Sequence, residues 1–563
     1  MITKIKTITK LLFILMLFIV WTFAPPPPVV AAGTTFVVDS TGDEEDLNWS
    51  DNICQTSAGT CTLRAAIKQS NFDAGTEDTI TFNIPQPIAI IYIDAALPTI
   101  YTPMHIQGPN AHNGGAVVLN GKGNSMSGLV FTLGSGGSSV SQFDMRDFGT
   151  LGIYINSAND ITISECVIGS TAAPSFPGNL HGGIALYKAS GVQIINNLIS
   201  GNGGAPGTGG QGISIQEGGS NTIQGNKIGT DITGTSARPN VGSGISIHDS
   251  DNNLIGGTSP TERNLISGNG GNGILISGGS VGTIIKGNHI GTNLSGTSAL
   301  PNEGAGIQVY LSENTQIGGS ENGAGNLISG NDGAGVRHSS SNSVFYGNTI
   351  GFNADGTSAL PNQYGMFLFS GEHNIIGGTK PGQPNLIAGN TADGILVRPT
   401  TKGNGIIGNV IHDNGGLGIN LLVDGEPDST VTPNDEGDPD TGANDLQNFP
   451  ILTDIQSTPT DLTVTCYLDS LPEKTFTLYF YGNDSCDPST HGEGQHYLGT
   501  MSVVTNASNL AQFTKSFTTS TTYDCIAATA TDANGNTSEF SKTIDDDQDD
   551  PEFFYIYLPM LTK

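Results

Sequence analysis

GISIHDSDNNLIGGTSPTERNLISGNGGNGILI, Gly244 to Ile276, holds two copies of a short phrase, GISI and GILI, with NLISGN between them. In G-I-x-I the two aliphatic side chains fall on one side of an extended backbone and the middle residue on the other, the period-2 rule of a strand. The phrase recurs as GISI (Gly212), GIQV (Gly306), GVRH (Gly335), GMFL (Gly365), GILV (Gly394) and GINL (Gly418), at intervals of roughly 24 to 33 residues. NLISGN also begins at Asn197 and Asn326, NLIAGN at Asn385, and GNxIG at Gly225, Gly287 and Gly347. A unit this short cannot bury its own apolar residues, so neighbouring units must stack into a shared core.

The expected fold is all-β: a right-handed parallel β-helix followed by a small antiparallel β-sandwich. Each G-I-x-I strand pairs with its equivalent one coil away. Asn at the repeated corners suits αL geometry and amide stacking. From 211 to 420 the repeat doubles to about 60 residues, one coil of each pair carrying an extra loop such as GTNLSGTSALPN (Gly291 to Asn302). Ten to thirteen coils at about 4.8 Å make a rod of roughly 50 to 65 Å.

Composition narrows the function. Seventy-nine Gly and 13% charged residues fit a packed solenoid once the strict period is seen. Acidic residues outnumber basic ones 51 to 20, a formal net charge of −31. Such a surface repels nucleic acid and anionic lipid and favours solubility or cation binding. Lys4, Lys6 and Lys10 precede an apolar run from Leu11 to Trp21, and Ala31 and Ala32 offer a cleavage site, the pattern of a secretory signal over residues 1–32. The run is short for a membrane span, and Pro25 to Pro28 end it. The expectation is a secreted or cell-surface monomer with no membrane span after signal removal and no nucleic-acid partner. Six Cys in an exported chain predict disulfides. Cys54 and Cys61 are expected to pair, and so are Cys466 and Cys525, which leaves Cys166 and Cys486 open.

In chain order, residues 33–75 form an N-terminal capping segment, 76–423 the β-helix, 424–447 an acidic linker, 448–544 the sandwich and 545–563 an acidic linker and tail. The stretch CTLRAAI (Cys61 to Ile67) is helical, with Leu63, Ala66 and Ile67 on one face, and suits a lid over the open end of a solenoid. With its upstream Cys it resembles the CSLREA-type module found ahead of β-helix regions in bacterial surface proteins. The usual Glu is Ala65 here, which argues against chemistry at that position. The repeats resemble the parallel β-helix (pectin-lyase-like) family that includes pectin-degrading enzymes. The phrase TATDANGNTSEFS (Thr529 to Ser541) resembles the close of immunoglobulin-like modules in bacterial surface β-helix proteins.

Two sites are candidates. Outward positions of the G-I-x-I strands are expected to align Tyr187, His248, Tyr310, Arg337, Phe367, Phe369 and Arg398 in one exposed ladder. Aromatics with Arg beside them suit stacking on sugar rings and pairing with uronate carboxylates. In the pectin-degrading relatives the substrate groove follows this same sheet. In the linker, Asp435, Asp438, Asp440 and Asp445, with Asn434 and Asn444, crowd oxygen ligands of the kind Ca²⁺ takes in a structural site. His338, at an inward position, is expected to be a core residue. The column Asp231, Asn293, Asn353 is expected to scaffold loops, since a catalytic centre is normally made once. The GHG and RIK blocks of pectin hydrolases and the DPHD-like block of mannuronan epimerases are absent from the sequence. The favoured reading is a non-catalytic protein that binds polysaccharide or cell-surface glycan. The alternatives are a polysaccharide lyase or glycoside hydrolase acting in a groove on the same sheet, with Arg337, Arg398 or Lys188 as base, and a structural envelope spacer.

Overall fold

The computed structural model describes residues 31–72, 76–85, 88–109, 116–170, 178–204, 209–423, 425 and 430–544. Residues 1–30 of the expected signal and the C-terminal tail therefore lie outside the described residues, while Ala31 and Ala32 begin the first strand. The strands of 31–421 form a right-handed β-helix of three parallel sheets, with 13, 12 and 11 strands. In the 11-stranded sheet Ile245, Ile274, Ile307, Val336, Met366, Ile395 and Ile419 pair in strict succession from coil to coil. All seven are buried, each the first aliphatic of its G-I-x-I phrase. Glycine before it is a packing requirement: a Cβ at Gly244 would lie 2.7 Å from Cγ2 of Ile266 and 2.8 Å from the carbonyl oxygen of Gly273.

The corner asparagines form ladders inside the wall. Asn226 donates from Nδ2 to Oδ1 of Asn264 (3.0 Å) and to the Ile194 carbonyl (2.8 Å), and its own N–H donates to the same Asn264 Oδ1 (2.9 Å). The pattern repeats through Asn264, Asn288, Asn326, Asn348, Asn385 and Asn409. A second ladder runs from Asn179 through Asn202, Asn240, Asn269, Asn302, Asn331, Asn362 and Asn390 to Asn414. Buried amides are costly unless paired, and stacking lets each coil satisfy the one before. At the corners that turn through αL, the residue before the asparagine takes that geometry, as Asn196 before Asn197 and Gly225 before Asn226 (φ +57° and +69°), so amide stacking and αL geometry are separate tasks.

Helix α1 (Leu63–Phe72) packs Leu63, Ala66 and Ile67 against Phe36, Val38 and Ile80 at the first coil. Thr62 caps it, accepting the Ala65 N–H at 3.1 Å. Arg64 is a buried staple: it pairs with Asp43 at 2.7 Å and donates to the carbonyls of Ala95 and Ala96. Cys54 and Cys61 are disulfide-bonded beside it. Ala65 is fully buried.

Residues 451–531 build two three-stranded antiparallel sheets around a core that includes Leu462, Val464, Phe476, Leu478 and Phe480. Here one expectation is overturned. Cys525 is bonded to Cys486, with Cα atoms 5.4 Å apart, and Cys466 is a free, buried thiol. Cys466 and Cys525 lie in different sheets, on strands that are not paired with each other. Cys525 pairs instead with Asn483, where the chain leaves its strand toward Cys486.

The sandwich closes the β-helix by imitating a next coil. Glu493 Oε1 accepts from N and Nδ2 of Asn414 at 3.2 and 3.0 Å, the place an incoming Asn would take. Asn444 does the same for Asn404. Asn536 accepts the Gly403 N–H, Thr537 that of Ile406 and Tyr481 that of Gly408. Gly494 exchanges two backbone bonds with Ile411. Glu539 takes the N–H groups of Leu421 and Thr432 at 2.8 and 2.9 Å. Asn536, Thr537, Glu539 and the buried Phe540 all belong to the TATDANGNTSEFS phrase, whose conspicuous tail is thus the docking strip.

Candidate functional site

Outward residues of the 11-stranded sheet fall in two columns, because positions i and i+2 of a strand share a face. Tyr187, Gln216, His248 and Ser277 succeed one another in one column, and Tyr310 and Ser339 pair further along the sheet. Arg337 and Phe367 belong to the other, between Gln308 and Leu396. The single ladder expected from sequence is therefore corrected to two. Aligning the G-I-x-I phrases would have revealed this, since Arg337 and Phe367 occupy x and Tyr187, His248 and Tyr310 stand two residues later. Phe369 sits at a register shift, because Ser339 pairs with Ser370.

The seven residues do not form one site. Tyr187 and Phe367 are six coil steps apart, about 29 Å. Tyr187 lies under Lys188, which faces Glu217 at 3.5 Å. His248 shares a hydrogen bond with Ser277 at 3.2 Å. The structure brings together Arg337, Phe367, Phe369 and Arg398. The Arg337 and Arg398 guanidinium carbons lie 5.1 and 4.9 Å from the Phe369 centroid and 5.9 and 5.8 Å from that of Phe367. The two phenyl rings are 5.7 Å apart, edge to face. Tyr364, 5.7 Å from Phe367, joins the cluster. Sequence reasoning missed it, although it immediately precedes the GMFL phrase. Both arginines and both phenylalanines are half-buried. Among the described residues neither guanidinium pairs with a carboxylate, and Nε of Arg398 is buried without a hydrogen bond. In a chain with 51 acidic residues, two arginines clear of acids keep their charge available to a ligand.

His338 lies in the core, 3.2 Å from Asn374 Oδ1 and edge-on to Phe345, and burial pushes its pKa down to about 4. Asp231, Asn293 and Asn353 each accept two backbone N–H groups of their own loop, such as Thr297 and Ser298 for Asn293. Both sets are structural.

In the linker, carboxylate oxygens of Asp435, Asp438 and Asp440 lie within 4.8 Å of one another, a cluster that could hold a metal ion. Asp445 does not join it. It is ion-paired with Lys402 and accepts from Nδ2 of Asn536, because the turn Ala443–Leu446 inserts Asn444 into the β-helix end and swings Asp445 toward that coil. Asn434 is also diverted, exchanging hydrogen bonds with Phe449. Asp438 is buried and accepts from Gln447, Ser470 and the Asn448 N–H. Burial, against those bonds and with Asp440 and Asp435 beside it, raises its pKa to about 6. Burial and Asp435 also raise Asp440. One oxygen each of Asp435 and Asp440 is buried without a hydrogen-bond partner. An all-oxygen donor set with two unsatisfied lone-pair carriers suits a hard cation.

Residues 127–322 match the family described as right handed beta helix region. No curated protein matches the chain. Among solved structures, the Dettilon tailspike protein is similar at 15% identity and a TM-score of 0.44, over 86% of this chain and 94% of that one. The periplasmic alginate epimerase AlgG is similar at 12% identity and 0.36, over 61% and 76%. A rhamnogalacturonan lyase is similar at 13% and 0.27, over 68% and 87%. None reaches a TM-score of 0.5, and none carries a function across.

Proposed function

We propose that this is an exported or cell-surface protein whose 11-stranded sheet binds a polysaccharide or cell-surface glycan without catalysis. The observation that carries the reading is the interleaving of Arg337 and Arg398 with Phe367 and Phe369 on a rigid sheet. Phenyl faces stack on the C–H faces of sugars, and unpaired guanidinium groups pair with carboxylates or hydroxyls. Tyr310, 47% exposed, extends the surface toward earlier coils, and Tyr187 and His248 serve as outlying contacts. Two disulfides support an oxidising compartment. The sandwich serves as an immunoglobulin-like closing module, and CTLRAAI as a CSLREA-type lid.

The test is retention of the purified mature chain on immobilised plant, algal and bacterial polysaccharides, with release of unsaturated or reducing-end products followed in parallel. Retention without product supports the reading, and product formation replaces it with a lyase or hydrolase. No retention on any glycan overturns it.

The Asp435, Asp438 and Asp440 cluster is proposed as a structural Ca²⁺ site joining the linker to the sandwich. The two unsatisfied buried oxygens support it. Calorimetric titration with Ca²⁺ against Mg²⁺ tests it, and absence of heat and of any thermal shift with both ions would refute it.

A further inference from the structure

The side chains that close the last coil are mostly neutral: Asn444, Asn536, Thr537 and Tyr481. Two are not. Glu493 ends the second asparagine ladder, taking N and Nδ2 of Asn414 on a single oxygen. Glu539 bridges two segments, with one oxygen on the Leu421 N–H and the other on that of Thr432. Both are nearly inaccessible, at 5% and 2% exposure, and neither forms an ion pair with a basic group among the described residues. Phe540, next to Glu539, packs over Gly418, where an added Cβ would meet its ring at 2.9 Å.

We infer that Glu493 and Glu539 form a pH-responsive latch, which holds the C-terminal sandwich on the β-helix in mildly acidic surroundings and loosens it in alkaline ones. Asparagine would end a ladder with no dependence on pH; a buried carboxyl cannot.

The facing groups set the direction. Glu539 meets Asp393, which accepts from Leu417 N–H and Asn420 Nδ2 on the same coil. Glu493 faces Asn414 from the β-helix and Asp487 from its own module. Asp413, next to Asn414, is exposed and engaged with His412. Elsewhere at the junction, Lys402 is ion-paired with Asp445, and His491 lies near Lys542. Burial first, with Asp393 adding to it, outweighs the two amide bonds and raises Glu539 to about 8. Burial, with Asp487 adding to it, raises Glu493 to about 7. A carboxyl raised above its solvent value stabilises the docked state fully below that solvent value. The contribution is lost as pH rises through the docked value. The window therefore runs from about pH 4.5 to about pH 8.

The experiment is hydrogen exchange of the full mature chain at pH 6 and pH 9, corrected for intrinsic rates. Peptides spanning 403–422 are compared with those spanning the interior coil 306–339. In the wild type, protection of 403–422 falls at least tenfold from pH 6 to pH 9, while 306–339 is unchanged. In Glu493→Gln/Glu539→Gln, which keeps the acceptor for Asn414 and one of the two acceptors at Glu539, the tenfold fall disappears. If the double variant is unprotected at 403–422 even at pH 6, the single variant Glu539→Gln decides, and the fall must shrink there too. A wild type with flat protection overturns the inference. So does a fall that persists undiminished in the Gln variants, or one that extends equally to 306–339.

Discussion

Two stretches of one sheet share an interior and differ outside. Around Ile213, Ile245 and Ile274 the inward set is isoleucine and the outward positions between hold Ser214, Ser246 and Leu275. Around Val336 and Met366 the inward set is again aliphatic, but the outward positions hold Arg337 and Phe367. The coil geometry is the same in both, so the aromatic and cationic residues are not needed to make a coil. Inward residues and asparagine ladders are under the constraint of folding, and outward residues are free to carry a ligand.

Substitutions that strike the shared interior should have the largest effect. Ile247→Ala empties a fully buried position between stacked coils and is expected to cost about 2–5 kcal/mol in urea unfolding. Asn264→Ala removes the acceptor for both N and Nδ2 of Asn226 and should cost about 1–3 kcal/mol. Equal stability of Asn264→Ala and wild type would mean that the ladders do not hold the coils together.

The linker cluster should respond next, and with a definite sign. Asp438 is raised to about 6, so without a cation its effect on stability is best below the ordinary aspartate range and is lost as pH rises through about 6. Ca²⁺ should reverse that loss, raising the melting temperature by several degrees at pH 8 and little at pH 4.5. Asp438→Asn should abolish the Ca²⁺ shift. A Ca²⁺ shift of equal size at both pH values would place the ion elsewhere.

The smallest effect on stability is expected on the outward face. Arg337→Gln removes two cation–π contacts on a half-buried surface and should cost less than about 1–2 kcal/mol. Ser246→Ala should cost under about 0.5 kcal/mol. If Arg337→Gln were as damaging as Ile247→Ala by thermal unfolding, the cluster would be a structural element and the contrast between the two stretches would collapse.

The parallel β-helix was legible because period-2 alternation inside a period of about 30 residues has few other solutions. The buried role of His338 followed from the same alternation. What failed was whatever depended on places distant in sequence. Cys466 and Cys525 both read as strand residues, but the partner of Cys525 is set by the pairing of its strand with the one ending at Asn483, which brings Cys486 beside it. Asp445 was grouped with its neighbours because a linear reading could not know that Asn444 enters the β-helix and carries Asp445 to Lys402. The GNTSEF tail was read as a module signature, and its use in closing the last coil required both partners in view. The gathering of Arg337, Phe367, Phe369 and Arg398 was partly legible, since all four were picked out as outward-facing. Their separation from Tyr187 and His248 is axial, several coil steps along the sheet, which a list of outward positions does not register.

The measurement that tests the central claim most directly is glycan retention by the wild type, Phe367→Ala/Phe369→Ala and Ser246→Ala, with thermal unfolding on the same samples. The account predicts that the double phenylalanine variant loses retention at least tenfold with its fold intact, while Ser246→Ala retains glycan like the wild type. Full retention by a folded Phe367→Ala/Phe369→Ala protein would contradict it and move the binding surface off this sheet.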